Sequence, residues 1–189
     1  MQKNKINIIF LDVDGVLNSR AYLNSHKDPE DEIDMRAVER LAKIYKQCNC
    51  KIVLSSSWRE LCGDETKVPH SMYKYLESCL AKYGMTIMDV TPMILSNRPE
   101  EIAAWLADNK DLVKNYVSLD DDFDEEHYES FGLGGHLVQT DFFVNNESEG
   151  GLQEQHVKKA KKYLKKRRKL LLFLVVWQIR HIRNIKKYK

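Results

Sequence analysis

No stretch of the chain is long and apolar enough to cross a bilayer. Its longest uninterrupted apolar run, residues 170–177, has eight residues, where a helical span needs about 20. The first apolar segment is cut short by Asp12 and Asp14, which excludes the core of a secretory signal. Cysteine is sparse as well. Cys48, Cys50, Cys62 and Cys79 all lie in the N-terminal half, and Cys48-x-Cys50 has no second Cys or His pair at zinc-site spacing. These absences lead us to expect a cytoplasmic protein with free thiols. The six His never fall at His-x-x-x-His spacing, and no internal repeat is present.

Acidic residues are missing from residues 158–189, which hold 14 of the 30 Lys and Arg. The other 16 basic residues face all 28 Asp and Glu, so residues 1–157 carry a net of −12 beneath a whole-chain charge of +2. Such an acidic body suits a polyanionic substrate only where positive charge is supplied locally, by a metal, a few Arg or Lys, or the tail. The length of 189 residues and hydrophobic content of 43% describe one domain with a real core and a short appendage.

The organising stretch is Ile8-Ile9-Phe10-Leu11-Asp12-Val13-Asp14-Gly15-Val16-Leu17-Asn18. An apolar run ending in a turn signal is the pattern of a central parallel strand, covered on both faces. Strand alternation puts Asp12 and Asp14 on one face. Ligand sites in open α/β sheets lie at the carboxyl ends of strands, and two carboxylates there repel unless a cation sits between them. A hard divalent ion such as Mg²⁺ is the simplest remedy.

Farther on, Asp34 is placed to N-cap a helix whose apolar positions are Met35, Val38, Leu41, Ala42 and Tyr45. The strand Lys51-Ile52-Val53-Leu54 then runs into Ser55-Ser56-Ser57-Trp58-Arg59. Strand, helix and strand in so short a span make a βαβ unit. Ser57 is placed to N-cap the next helix. Ser71 starts a helix with Met72, Tyr75, Leu76, Cys79, Leu80 and Tyr83 on one side, and Gly84 stops it. Residues 86–90 are expected as an edge strand limited by Pro92. Asn97-Arg98-Pro99-Glu100-Glu101 opens another helix. Tyr116-Val117-Ser118-Leu119 is a second strand ending in carboxylates, Asp120-Asp121-Asp122. Phe131-Gly132-Leu133-Gly134-Gly135 is a turn, not a nucleotide fingerprint. A strand at residues 136–141 and a helix with Leu152, His156, Ala160, Tyr163 and Leu164 on one side complete the domain.

These motifs resemble the haloacid dehalogenase (HAD) superfamily. DVDGVLN resembles its first motif, which implies that Asp12 is a nucleophile and Asp14 a general acid/base. That second Asp belongs to the phosphatase branch. The second motif implies a hydroxyl on the phosphoryl group, Ser56 or else Ser55. The third implies a cation, with Arg98 in place of the commoner Lys and Lys110 or Lys114 in reserve. The fourth implies Mg²⁺ ligands at Asp120 and Asp121 beside Asp12 and the Asp14 carbonyl, with Asp124 as a further acid. Ser-Ser-Trp-Arg behind Asp-x-Asp-Gly-Val-Leu-Asn looks like the HAD domain of Swiss Army Knife RNA repair proteins. By its own chemistry Trp58 is suited to stack on a base or sugar or else to pack in the core, and Arg59 to fork onto a substrate phosphate or else to pair with a nearby Glu.

The expected fold is α/β, a HAD-like doubly wound, mainly parallel sheet with helices on both faces and a minimal cap. Residues 1–164 form the domain, and residues 165–189 form a basic, apolar, helical extension that contacts nucleic acid, an anionic membrane or another subunit. The expected activity is Mg²⁺-dependent hydrolysis of a phosphomonoester, at a nucleic-acid end or on a nucleotide. The alternative is a catalytically weak scaffold that binds membrane or nucleic acid through its tail.

Overall fold

The computed structural model describes residues 5–28, 31–63 and 67–165. The extension beyond Lys165, with its expected helix and contacts, lies outside the described residues. Five strands form one parallel sheet: β1 (Ile6–Leu11), β2 (Cys50–Leu54), β3 (Ile87–Val90), β4 (Val113–Asp120) and β5 (Leu137–Gln139), in the spatial order β3-β2-β1-β4-β5. The first strand is central, as its unbroken apolar run requires. The helices are α1 (Arg20–Ser25), α2 (Met35–Cys48), α3 (Ser71–Ala81), α4 (Arg98–Asp108), α5 (Glu125–Ser130) and α6 (Glu154–Lys165), with a 3-10 turn at Ser57–Leu61.

Side-chain alternation along β1 divides the core in two. Ile9 and Leu11 pack with Ile52, Leu54, Val117 and Leu119 beneath α2, α3 and α6. Ile8 and Phe10 point to the other face, where Ile102, Trp105 and Leu106 of α4 and Tyr128 of α5 cover them. The sheet is therefore wound on both faces, and every crossover from strand to parallel strand carries a helix or turn.

Local chemistry explains the element ends. Asp34 caps α2 by accepting from the Arg36 N–H at 2.8 Å, and Asn49 closes the helix in the left-handed region at φ 49°. The stripe on α3 is rotated from the expected one: Tyr73 is buried, while Met72 and Tyr75 are half-covered. The hydroxyl that caps the turn after β2 belongs to Ser56, not Ser57; its Oγ accepts from the Trp58 N–H at 3.4 Å. Between β1 and α2 the chain forms the short helix α1, capped by Ser19. Among the described residues it is the only helix or strand between β1 and α2, and they place no folded cap there.

Candidate active site

Register brings the two acidic strand ends together. Leu11 pairs with Leu119, and the Asp12 N–H donates to the Leu119 carbonyl at 3.1 Å. One residue beyond each, Asp12 and Asp120 therefore emerge side by side. Both follow the residues that face α2, α3 and α6, so both carboxylates turn toward the opposite layer, that of α4 and α5. Asp12 is 3% exposed and Asp120 is fully buried.

Arg98, the first residue of α4, meets them there. Its Nη1 lies 2.8 Å from Asp12 Oδ2 and also pairs with Asp120 Oδ1, while Nη2 lies 3.6 Å from Asp122 Oδ2. The guanidinium stands over the Phe123 ring, 5.4 Å from its centroid. Burial works against the charge on Arg98, but Asp12 and Asp120 outweigh it and raise its pKa above the ordinary value. Lys110 precedes β4 and Lys114 is near its start, about 20 Å down the strand from Asp120 at 3.3 Å per residue. The structure brings neither to the site.

Even with Arg98 present, negative charge is in excess. Burial, opposed by Arg98 and reinforced by Asp120, pushes the Asp12 carboxyl up to about 8. Asp121 rises to about 7 through burial and its neighbours Asp122 and Asp120, and Asp120 is raised too, mainly by burial. Asp12, Asp120, Asp121 and Asp122 each offer an oxygen within 4.8 Å of the others. Four hard oxygen donors crowded together with one guanidinium among them fit a divalent cation. Asp122 stands outside the ligand set expected from sequence; it is the third residue of the run, and only the turn after β4 brings it back. Asp124 is instead the cap of α5, accepting from the His127 N–H at 2.9 Å.

Gly15 couples the two acidic segments. Its φ is +73°, and a Cβ there would collide with the Asp121 carboxylate. Glycine is required twice, by the turn and by the close approach.

Asp14 stands apart from this cluster. The strand ends at Leu11, so alternation does not govern Asp14, which lies exposed in the following turn. Its Oδ2 accepts from the Trp58 indole N–H and its Oδ1 from Asn18 Nδ2, both at 2.9 Å. Asn18 also accepts from the Gly15 N–H at 3.0 Å, so the turn and the carboxylate are held by one amide. Trp58, expected to stack on substrate, is buried, with its ring in the core and its N–H on Asp14.

The hydroxyls after β2 also separate. Ser56 is buried and its side chain hydrogen-bonds Asp12, lowering that carboxyl's pKa against the stronger effect of burial. Ser55, equally buried, faces Thr91 Oγ1 at 3.5 Å. Arg59, expected on a substrate phosphate, is buried and bonded to Glu101 Oε1 at 2.8 Å and to the Ser56 carbonyl at 3.1 Å. In this arrangement its charge is committed within the fold.

Two further residues support Asp120 that sequence reasoning did not find. The Tyr128 hydroxyl donates to Asp120 Oδ2 at 2.8 Å and lies 2.6 Å from Ser118 Oγ. With its single proton given to the carboxylate, the phenol oxygen accepts from Ser118. Burial and Asp120 hold the Tyr128 pKa well above its usual value, so the donor stays protonated. Nothing in the acidic run signals this, because the contact depends on α5 folding back over β4.

No curated protein matches the chain. A family model does, over residues 8–157, from the middle of β1 into α6 and across all the acidic segments just described. Hydrolase or phosphatase chemistry in general is what that family points to. By this match the chain belongs to the family described as the HAD domain in Swiss Army Knife RNA repair proteins.

Proposed function

We propose that the protein hydrolyses a phosphomonoester through an aspartyl-phosphate on Asp12. The observation that carries this reading is Arg98 joined to both Asp12 and Asp120, with further oxygen donors from Asp121 and Asp122 beside them at the carboxyl edge. A carboxyl with a pKa of about 8 is a poor nucleophile at neutral pH, so Asp12 needs added countercharge to act.

Asp12, the Asp14 main-chain carbonyl, Asp120 and Asp121 would hold Mg²⁺, with Asp122 available from the same turn. Bound there, the ion supplies charge neutralisation for the transferring group. Asp12 attacks phosphorus in line with the leaving oxygen, which takes a proton from Asp14. Asp14, now a base, removes a proton from the water that releases phosphate. Ser56 donates to a phosphoryl oxygen, and Arg98 supplies fixed positive charge that needs no reorganisation. Trp58 and Asn18 hold Asp14 at its station. The family's association with RNA repair supports a phosphorylated nucleic-acid end, or a nucleotide, as substrate.

The test is phosphate release from an aryl phosphate with Mg²⁺ or EDTA, followed by 3′- and 5′-phosphorylated RNA and nucleotides. Activity that requires both the metal and Asp12 is expected. Full activity in Asp12→Asn, or no turnover on either set of substrates, would remove the proposal.

A further inference from the structure

The segment between β5 and α6, residues 140–152, is a strap tied to both halves of the site. The Thr140 N–H donates to the Asp120 carbonyl at 2.9 Å, and the Leu152 N–H donates to the Val16 carbonyl at 2.8 Å. Between these anchors the Phe142 carbonyl accepts from the Arg20 N–H at 3.0 Å, two residues past Asn18. Gly150 lies so close to the Ser19 side chain that a Cβ would collide with it. Glu147 takes Arg36 Nη2 at 2.8 Å and the Ser25 hydroxyl. The strap is thus pinned at both ends and in its middle.

From this pinned segment Phe143 projects with 80% of its surface exposed. An isolated exposed apolar side chain is ordinary, but this one has two specific neighbours. Phe142 meets it edge-on, with ring centroids 5.0 Å apart, and the Arg20 guanidinium carbon stands 5.9 Å from its centroid. Arg20 is itself exposed, and it makes no ion pair among the described residues. An uncommitted guanidinium in an acidic body, set on an open aromatic ring, is suited to a ligand with both a π-face and an anionic or hydrogen-bonding group.

We propose that Phe143 and Arg20 form a leaving-group subsite for a nucleobase, Phe143 stacking on the base and Arg20 bonding to its edge or to an adjoining phosphate. The proposal rests on the phosphatase reading above and names the part of the substrate that lies beyond the phosphorus. The strap hangs from the two segments that carry Asp120 and Asp14, so its ring is placed by the catalytic turns themselves. A rigid platform loses little conformational freedom on binding. One stacked base with a single Arg also suits an acidic surface better than a long phosphate backbone does.

The experiment compares kcat/KM for adenosine monophosphates with that for glycerol 2-phosphate in wild type, Phe143→Ala, Phe143→Trp and Arg20→Ala. Loss of one base stack is expected to lower the nucleotide-to-glycerol phosphate ratio roughly 5- to 150-fold in Phe143→Ala. Phe143→Trp is expected to keep the ratio, and Arg20→Ala to lower it. A ratio unchanged in Phe143→Ala, or a wild type that prefers glycerol 2-phosphate, overturns the subsite and leaves the phosphatase reading standing. If wild type turns over neither, calorimetry with adenosine monophosphate decides. Binding that weakens in Phe143→Ala keeps the subsite while the phosphatase reading falls, and absence of binding removes both.

Discussion

The indole N–H of Trp58 donates to Oδ2 of Asp14 at 2.9 Å, from the turn after β2 to the turn after β1. With Asn18 on the other oxygen, the proposed acid/base has both oxygens directed by the fold. Trp58→Phe keeps an aromatic ring and deletes one donor. A hydrogen bond to a charged group is worth about 1.5–3 kcal/mol, so kcat is expected to fall roughly 10- to 150-fold with the fold and KM nearly unchanged. A variant with wild-type kcat would show that Asp14 does not need this donor.

Arg98 is the cation shared by Asp12 and Asp120. Arg98→Ala is expected to cost about 10²- to 10³-fold in kcat, the range for losing one preorganised electrostatic donor. Arg98→Lys is expected to restore only part, because a point charge lacks the planar spread that puts Nη1 on Asp12 and Asp120 and Nη2 near Asp122. Steady-state kinetics of both variants beside wild type checks this, and an Arg98→Lys variant as fast as wild type would show that positive charge alone suffices.

The raised carboxyls make metal-free stability pH-dependent. Asp12, at about 8, and Asp121, at about 7, keep protons in the folded state that the unfolded chain releases near pH 4. Stability from these groups is therefore fully present below that pH and is lost as pH rises toward 8. In EDTA, the Tm of wild type relative to Asp12→Asn should fall between about pH 5 and 8, and millimolar Mg²⁺ should flatten the difference. A relative Tm that rises with pH would contradict the shifts.

Tyr128→Phe tests the support behind Asp120. It removes the donor at 2.8 Å and leaves the Ser118 hydroxyl without its acceptor. Partners behind a ligand typically matter about 10- to 100-fold in metal affinity. That loss is expected in Mg²⁺ binding measured by calorimetry, with no turnover needed. Unchanged affinity would make Tyr128 a packing residue only.

The Arg59–Glu101 pair is buried on both sides, and Arg59 Nε has no hydrogen-bond partner among the described residues. Removing one partner strands the other's charge, at a cost of about 3–5 kcal/mol. Arg59→Ala and Glu101→Ala should each lower stability by this order, measured by denaturant unfolding. Their double mutant should be less destabilised than the two losses combined. Additive losses would free Arg59 for the substrate contact expected from sequence.

The periodicity of the chain alone determined the parallel α/β order, because unbroken apolar runs ending in Asp or Ser have few stable solutions other than buried strands. The family motifs laid on those strand ends and helix starts, rather than periodicity, singled out Asp12, Ser56, Arg98, Asp120 and Asp121 as candidates. What tertiary structure decided is the occupation of each side chain. Strand alternation stops with the strand at Leu11, so it did not reveal that Asp14 turns to Trp58 and Asn18. Likewise the sequence leaves Arg59 between a substrate phosphate and a nearby Glu, and Glu101 takes it only because α4 packs beside the turn after β2. Tyr128 and Ser118 carry no local signal at all, because the chain of hydrogen bonds from Ser118 through Tyr128 to Asp120 exists only once α5 closes over β4.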